Sequence, residues 1–202
     1  RDARIEVRRN PHNMGKRLGI SRAVMSVDEP FIVSVDSDVI VEKHAVRRLI
    51  QSFDDPNVAA VGGRVYVSNA NENWLTAMQA IKYYFGYQYL KNIEQFFRSV
   101  MCLSGCLTAY RREVLVRLDP ILEGRSLFGV PIKYGEDRFL TRQIVKHGYA
   151  TRLNLYATCM TKAPPTLSNY FSQQLRWRRS NIVDVIGCLT HVTRLHPMVA
   201  IH

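Results

Sequence analysis

Hydrophobic and polar positions along this chain fall into short blocks whose periods alternate between those of strands and helices. Residues 31–35, Phe-Ile-Val-Ser-Val, form a β-branched apolar run that ends in Asp36-Ser37-Asp38. Such a run predicts a buried parallel strand whose carboxyl end delivers polar groups to a site. Residues 16–26 before it read as a helix. Residues 44–53 after it place Ala45, Val46, Leu49, Ile50 and Phe53 at helical spacing, and Asp54-Asp55-Pro56-Asn57 ends that helix. Residues 58–61 and 64–68 read as strands on either side of Gly62-Gly63. From residue 74 to about 97 the pattern is one long helix with Trp74, Met78, Ile81, Phe85 and Tyr89 at three- and four-residue steps, which predicts a stripe facing the core. Tyr83, Tyr84 and Tyr87 lie off that stripe.

Residues 101–111 are strand-like around Ser104-Gly105, and residues 112–118 read as a short helix. Residues 122–134 read as a loop that closes on Gly135-Glu136-Asp137-Arg138. Residues 137–147 form the next helix, with Gly148 at its stop position. Residues 150–159 read as a strand, Ala163-Pro164-Pro165 as a break, and residues 167–185 as a helix. Strands alternating with helices imply an α/β fold with a mainly parallel sheet flanked by helices. The 202 residues suffice for one substantial core, and one compact domain is the expectation. No repeat or low-complexity tract is present.

Composition changes this picture little, whereas charge narrows the partners. Lysine and arginine number 28 against 17 acidic residues, a formal charge of +11, which favours nucleotide phosphates, nucleic acid or an anionic membrane face. Four cysteines, Cys102, Cys106, Cys159 and Cys188, are too sparse for a disulfide framework and suit a reduced compartment. Cys102 and Cys106 have a spacing that could open a zinc site, but no second pair completes it, so buried or half-buried thiols are expected. No apolar run reaches the roughly 18 residues of a membrane span. Residues 181–201 come nearest, interrupted by Asp184, His191, Arg194 and His196, and read as a segment lying on a bilayer or leading into one. The chain opens on Arg1, and residues 1–17 lack the apolar centre of a signal peptide. It reads as a piece of a longer protein.

Three polar features stand where strands should end or helices begin, the usual place for function in open α/β sheets. Asp36 and Asp38, one residue apart after a strand, offer hard oxygen ligands to Mg²⁺ or Mn²⁺, although the same pattern also marks ordinary turns. Glu136-Asp137 opens a helix, where Asp137 serves either as an N-cap or as a general base. Gln173, Arg176 and Trp177, at i, i+3 and i+4, share one helix face that combines an amide, a guanidinium suited to phosphate and a ring suited to sugar. Taken alone, that segment also fits a basic helix with one tryptophan.

In this order, Asp36 and Asp38, then Ser104-Gly105 with Tyr110-Arg111 behind it, then Glu136-Asp137-Arg138, then Gln173, Arg176 and Trp177, the chain resembles the processive family 2 glycosyltransferases: hyaluronan synthases, chitin and chitin-oligosaccharide synthases and, more distantly, cellulose synthases. Asn13-Met14-Gly15-Lys16-Arg17 looks like the element that precedes the D-x-D strand in that group. The resemblance runs from about residue 10 to 184. It implies a Rossmann-like fold of GT-A type, incomplete at its N-terminal end, with residues 1–180 as a partial catalytic domain and 181–202 as a membrane-proximal segment. It further implies inverting transfer from a UDP-sugar to the end of a growing polysaccharide, on the cytoplasmic side of the plasma membrane, with the membrane reached through segments outside this chain.

Residue by residue, the resemblance makes Asp38 the principal ligand of Mg²⁺ or Mn²⁺ with Asp36 beside it, and Asp137 the base that deprotonates the acceptor hydroxyl. Gln173 and Arg176 meet the donor diphosphate, Lys16 and Arg17 help to hold it, and Ser104, Gly105 and Trp177 lie against the acceptor. Tyr83, Tyr84 and Tyr87 are free to stack on sugar. Cys106 stands where relatives commonly have proline, which leaves the polymer open. Two alternatives compete: a non-processive family 2 transferase adding one sugar to a lipid or glycan, and a basic nucleic-acid-binding module. For the second, no nucleic-acid signature is present, so no nucleic-acid partner is expected.

Overall fold

The computed structural model describes residues 2, 4–10, 15–123, 126–127, 130–132 and 135–188. In chain order the elements are α1 (Gly15–Met25), β1 (Phe31–Val35), β2 (Ile40–Val41), α2 (Ala45–Gln51), β3 (Val58–Val67), α3 (Trp74–Phe85), a π-helical turn at Gly86–Leu90, α4 (Lys91–Phe96), β4 (Leu107–Arg111), α5 (Arg112–Glu123), β5 (Ser126–Leu127), β6 (Val130–Pro131), α6 (Glu136–Lys146), β7 (Ala150–Thr161) and α7 (Leu167–Cys188).

Five strands make one sheet in the order β1-β4-β3-β7-β2, and β5 and β6 form a separate small hairpin. The sheet is mixed, where alternation of strands and helices predicts a mainly parallel one. β4 runs antiparallel between β1 and β3, pairing Phe31 with Arg111 and Ala60 with Tyr110. Only β3 and β7 pair in parallel, from Val58 opposite Ala150 to Val67 opposite Thr161. β1, β3 and β7 nevertheless point the same way, so the alternation carried the right direction for these three. The expected break at Gly62-Gly63 is a register shift between Gly63 and Arg64 within one continuous strand; a bulge of this kind turns a strand without ending it.

The core gathers the inward faces of the sheet, with Val58, Val61, Val65 and Leu107 fully buried, and the helices that cover it contribute Leu49, Leu118 and Ile144. α2, α4 and α6 lie against β7, and α3 lies against β3. α3 starts at a capping box: the Thr76 amide donates to Asn73 Oδ1 at 3.0 Å, and the Asn73 amide donates to Thr76 Oγ1 at 3.1 Å. The expected core stripe on this helix points the other way. Trp74 is 67% exposed and Phe85 56%, with Met78, Ile81 and Tyr89 also exposed, while Leu75, Thr76, Gln79 and Tyr87 face inward. Periodicity identified two faces, and the more apolar one is on the outside.

The loop expected over 122–134 contains the β5–β6 hairpin, and α5 is longer than its 112–118 expectation, running on through Pro120. α7 passes residue 180 without interruption; the segment 181–202 is described only as far as 188.

Candidate active site

The turn that closes β1 carries Asp36, whose carbonyl accepts the Val39 amide at 3.2 Å, so the two aspartates leave the strand on a tight bend. Lys16, in the first turn of α1, reaches across and donates to Asp36 Oδ1 at 2.6 Å. The same ammonium stands 3.6 Å from Glu136 Oε1 and 3.6 Å from Asp137 Oδ1 at the start of α6. Three carboxylates from two elements distant in sequence therefore share one cation.

The loop before β4 completes the grouping. The Gly105 amide donates to Asp137 Oδ2 at 3.1 Å. The Leu103 amide donates to Thr141 Oγ1 at 3.2 Å, and that hydroxyl donates in turn to the Asp137 carbonyl at 2.7 Å. Loop and helix start are thus stitched together on both sides of Asp137. A side chain at residue 105 has no room: a Cβ there would lie 2.5 Å from Lys16 Nζ and 2.6 and 2.8 Å from the two Asp137 carboxylate oxygens. Asp137 is not the N-cap of α6. That position belongs to Gly135, which has φ 71° and no side-chain cap bond.

Burial dominates the electrostatics. It raises the Asp137 carboxyl, against the lowering pull of Lys16, and with help from the charges of Glu136 and Asp36; the net result is a pKa of about 6. For Lys16 burial works downward, but Asp137, Asp36 and Glu136 together more than offset it, so the ammonium is held above its ordinary value. The Cys106 thiol is pushed up first by burial and then by Asp36, Asp38 and Asp137.

α7 closes the site on the α6 side. Helical spacing places Gln173, Trp177, Ser180 and Asp184 on one face. Ser180 and Asp184 are buried on it, Gln173 is half-buried, and Trp177 lies at the margin. A Cβ on Gly135 would fall 1.6 Å from Ser180 Oγ, so α7 touches the chain immediately before Glu136. Further along, Arg142 donates to the Asp184 carbonyl at 2.5 Å and pairs with its carboxylate at 3.4 Å, both side chains being buried.

Of the residues expected at the site, Lys16, Asp36, Asp137 and Gly105 meet directly. Ser104 is adjacent, its Oγ accepting the Cys106 amide at 3.3 Å. Asp38 is exposed one turn position further on, and it is among the charges that, after burial, raise the phenol of half-buried Tyr83. Arg17 is directed elsewhere, 3.5 Å from the Ile132 carbonyl, on the wall of a largely apolar cleft that runs past Ile20, Ile32 and Tyr110 to Glu136 and Asp137. Arg176 is exposed on α7. Of the three tyrosines expected to be free, only Tyr84 is exposed. Tyr87 is buried, with the Lys91 ammonium 4.3 Å from its ring centroid, and burial raises its phenol well above the ordinary value.

Thr141 and Ser180 were not anticipated, although Thr141 lies four residues after Asp137 on the same helix, a readable signal. Cys102, Cys106 and Cys159 are free thiols, as expected.

Among the described residues, no group of three His, Cys, Asp or Glu side chains is arranged to hold a metal ion. The Asp36–Asp38 pair fits a cation of another habit: Mg²⁺ and Mn²⁺ take one or two carboxylates and complete their shell from phosphate and water.

Residues 2–180 match the family model described as Glycosyltransferase like family 2. An N-acetylglucosaminyltransferase of Rhizobium meliloti (strain 1021) is 34% identical over 200 residues, covering 99% of this chain and 47% of that protein. One from Azorhizobium caulinodans is 35% identical over 172 residues, covering 85% of this chain and 43% of that protein. The chain therefore spans about half the length of these curated relatives. In fold it is similar to a mannosyltransferase of Pyrobaculum calidifontis solved in complex with GDP-Man and Mn²⁺, with a TM-score of 0.60 at 18% identity over 89% of this chain and 45% of that one. The α/β architecture is of the expected GT-A type.

Proposed function

This chain belongs to glycosyltransferase family 2, and from that premise we propose that its acidic site transfers a sugar, with inversion, from a UDP donor to the end of a growing polysaccharide. One observation carries the reading: a carboxylate with a raised pKa, Asp137, is fixed by a backbone amide and shares a lysine with Asp36 of the D-x-D turn. The base for the acceptor and the anchor for the donor thereby stand side by side. The similarity to N-acetylglucosaminyltransferases supports N-acetylglucosamine as the sugar.

In this reaction Asp137 takes the proton of the acceptor hydroxyl as that oxygen attacks the anomeric carbon. The bond from that carbon to the diphosphate oxygen breaks, and the nucleotide diphosphate leaves with the electron pair. One carboxylate suffices because the diphosphate is a competent leaving group without a general acid, unlike the alcohol expelled in glycoside hydrolysis. Mg²⁺ or Mn²⁺ on Asp36 and Asp38, when bound, neutralises charge on the diphosphate. Lys16 adds a second cation on the same side, and on α7 Gln173 and Arg176 are assigned to the donor diphosphate and Trp177 to the acceptor.

The test is to incubate the full-length protein with a panel of radiolabelled UDP-sugars and Mg²⁺ or Mn²⁺ and to size the product. Oligomers or polymer built from UDP-N-acetylglucosamine are expected. Single additions alone would replace polymer synthesis by single-sugar transfer to a lipid or glycan. No transfer from any UDP-sugar would remove the reading altogether.

The cytoplasmic face of the plasma membrane is the proposed location. Outward apolar residues on α3 (Trp74, Ile81, Phe85) and on α7 (Phe171, Leu175, Ile182) support it. Lys82 donates to Gln174 at 2.9 Å and links the two helices, and the only carboxylates on α3, α4 and α7, Glu94 and Asp184, are buried. An apolar face whose only exposed charges are cationic suits an anionic bilayer. Among the described residues no helix is long and apolar enough to cross a membrane. Co-sedimentation with phosphatidylserine vesicles but not phosphatidylcholine vesicles is the expected outcome, and equal failure with both would refute this placement.

A further inference from the structure

The position of Lys16 has a consequence for the order in which ligands bind. Its ammonium occupies Asp36 Oδ1 at 2.6 Å, the closest contact in the site, and it is simultaneously within 3.6 Å of Glu136 and Asp137. A divalent ion on Asp36 would sit about 2.1 Å from this oxygen or from Oδ2 of the same carboxylate, in either case within a few ångströms of the ammonium. Ion and ammonium cannot both stay there, because like charges held a few ångströms apart in a partly desolvated site repel strongly. Asp38 is exposed two residues further along the same turn, so a free ion arriving alone finds one open carboxylate and one already neutralised.

A nucleotide diphosphate changes the balance. Its oxygens supply the ligands that the protein lacks and offer the ammonium a new anionic partner. Lys16 is in the first turn of α1, on a flexible four-carbon stem, and can exchange partners without moving the helix. Resting on the donor-site reading above, we infer that Lys16 is a tethered cation that keeps Asp36 closed to free divalent metal and releases it only when a nucleotide diphosphate arrives, so that metal enters together with the donor. This goes beyond a lysine that merely contacts phosphate, since it makes metal affinity depend on the nucleotide.

The experiment titrates Mn²⁺ into the full-length protein and follows free Mn²⁺ by electron paramagnetic resonance, with and without UDP, for the wild type, Lys16→Met, Lys16→Gln and Lys16→Arg. Wild type is expected to bind Mn²⁺ weakly alone and at least about fivefold more tightly with UDP, the upper scale of one partly exposed ion pair. Lys16→Met and Lys16→Gln should gain about fivefold in affinity for Mn²⁺ alone, while Lys16→Arg, which keeps the cation, should not. Wild type that binds UDP and yet holds Mn²⁺ equally well with and without it overturns the gate whether or not the variants fold. So do folded Lys16→Met and Lys16→Gln proteins with unchanged affinity for Mn²⁺ alone. Failure of wild type to bind UDP at all, even at saturating Mn²⁺, refutes instead the donor-site reading, so the two failures are distinguishable.

Discussion

Replacing Gly105 by alanine puts one methyl group into the acidic site. The new carbon would stand 2.6 and 2.8 Å from the Asp137 oxygens and 2.5 Å from Lys16 Nζ, whereas ordinary contact begins near 3.4 Å. The carboxylate must therefore retreat by roughly 0.6–0.8 Å, which also strains its 3.1 Å bond from the Gly105 amide. Gly105 does not lie at positive φ, so the backbone accepts alanine, and the atoms in the way are the ends of side chains. The effect on folding should stay within about 1 kcal/mol. The effect on transfer should be much larger, because displacing a base by close to 1 Å costs on the order of 10²-fold in rate. The assay pairs kcat/KM for transfer with equilibrium unfolding of the same preparation. Wild-type turnover by Gly105→Ala would show that Asp137 is not positioned by this loop for the chemistry. A loss of stability large enough to explain the loss of rate would show that the glycine serves the fold.

With the Asp137 carboxyl at about 6 by burial, activity should rise through pH 6 and level off above 7; an acid limb near pH 4 contradicts the assignment. Asp137→Asn should lower kcat by about 10²–10⁴-fold. Because this pKa is raised from the ordinary 3.8, the stability linked to Asp137 is present below about pH 4 and is lost as pH climbs through 6. Melting curves should accordingly show Asp137→Asn gaining on wild type above pH 6, and a relative loss there reverses the sign of the argument. Gly135→Ala meets both a positive φ and Ser180 Oγ at 1.6 Å, and it should cost about 2–4 kcal/mol in urea unfolding. A cost below about 0.5 kcal/mol would mean that α7 does not pack there. Asp184→Ala leaves Arg142 buried without its carboxylate and should cost about 3–5 kcal/mol; a neutral result would remove this pair as the anchor of α7.

Much of the site was legible because its groups occupy positions that local rules mark: Asp36 and Asp38 after an apolar strand, Gly105 in the loop before β4, and Asp137 at a helix start. The exact partner of each group was not. That Lys16 faces Asp36 across 20 residues and Asp137 across 121 depends on α1 and α6 converging at the end of β1, and no local pattern encodes a distance between elements. For the same reason Arg17, adjacent to Lys16 in sequence, turns away into the cleft, since neighbours on a helix point about 100° apart.

By itself the sequence determined the kind and place of the longer elements, because periods of two and 3.6 follow from backbone geometry alone. Only the tertiary structure decided which way β4 runs, which face of α3 is buried, and which single ammonium the three carboxylates share. These depend on how the elements pack against one another, and an apolar stripe such as that of Trp74, Ile81 and Phe85 specifies that a face exists without specifying what covers it.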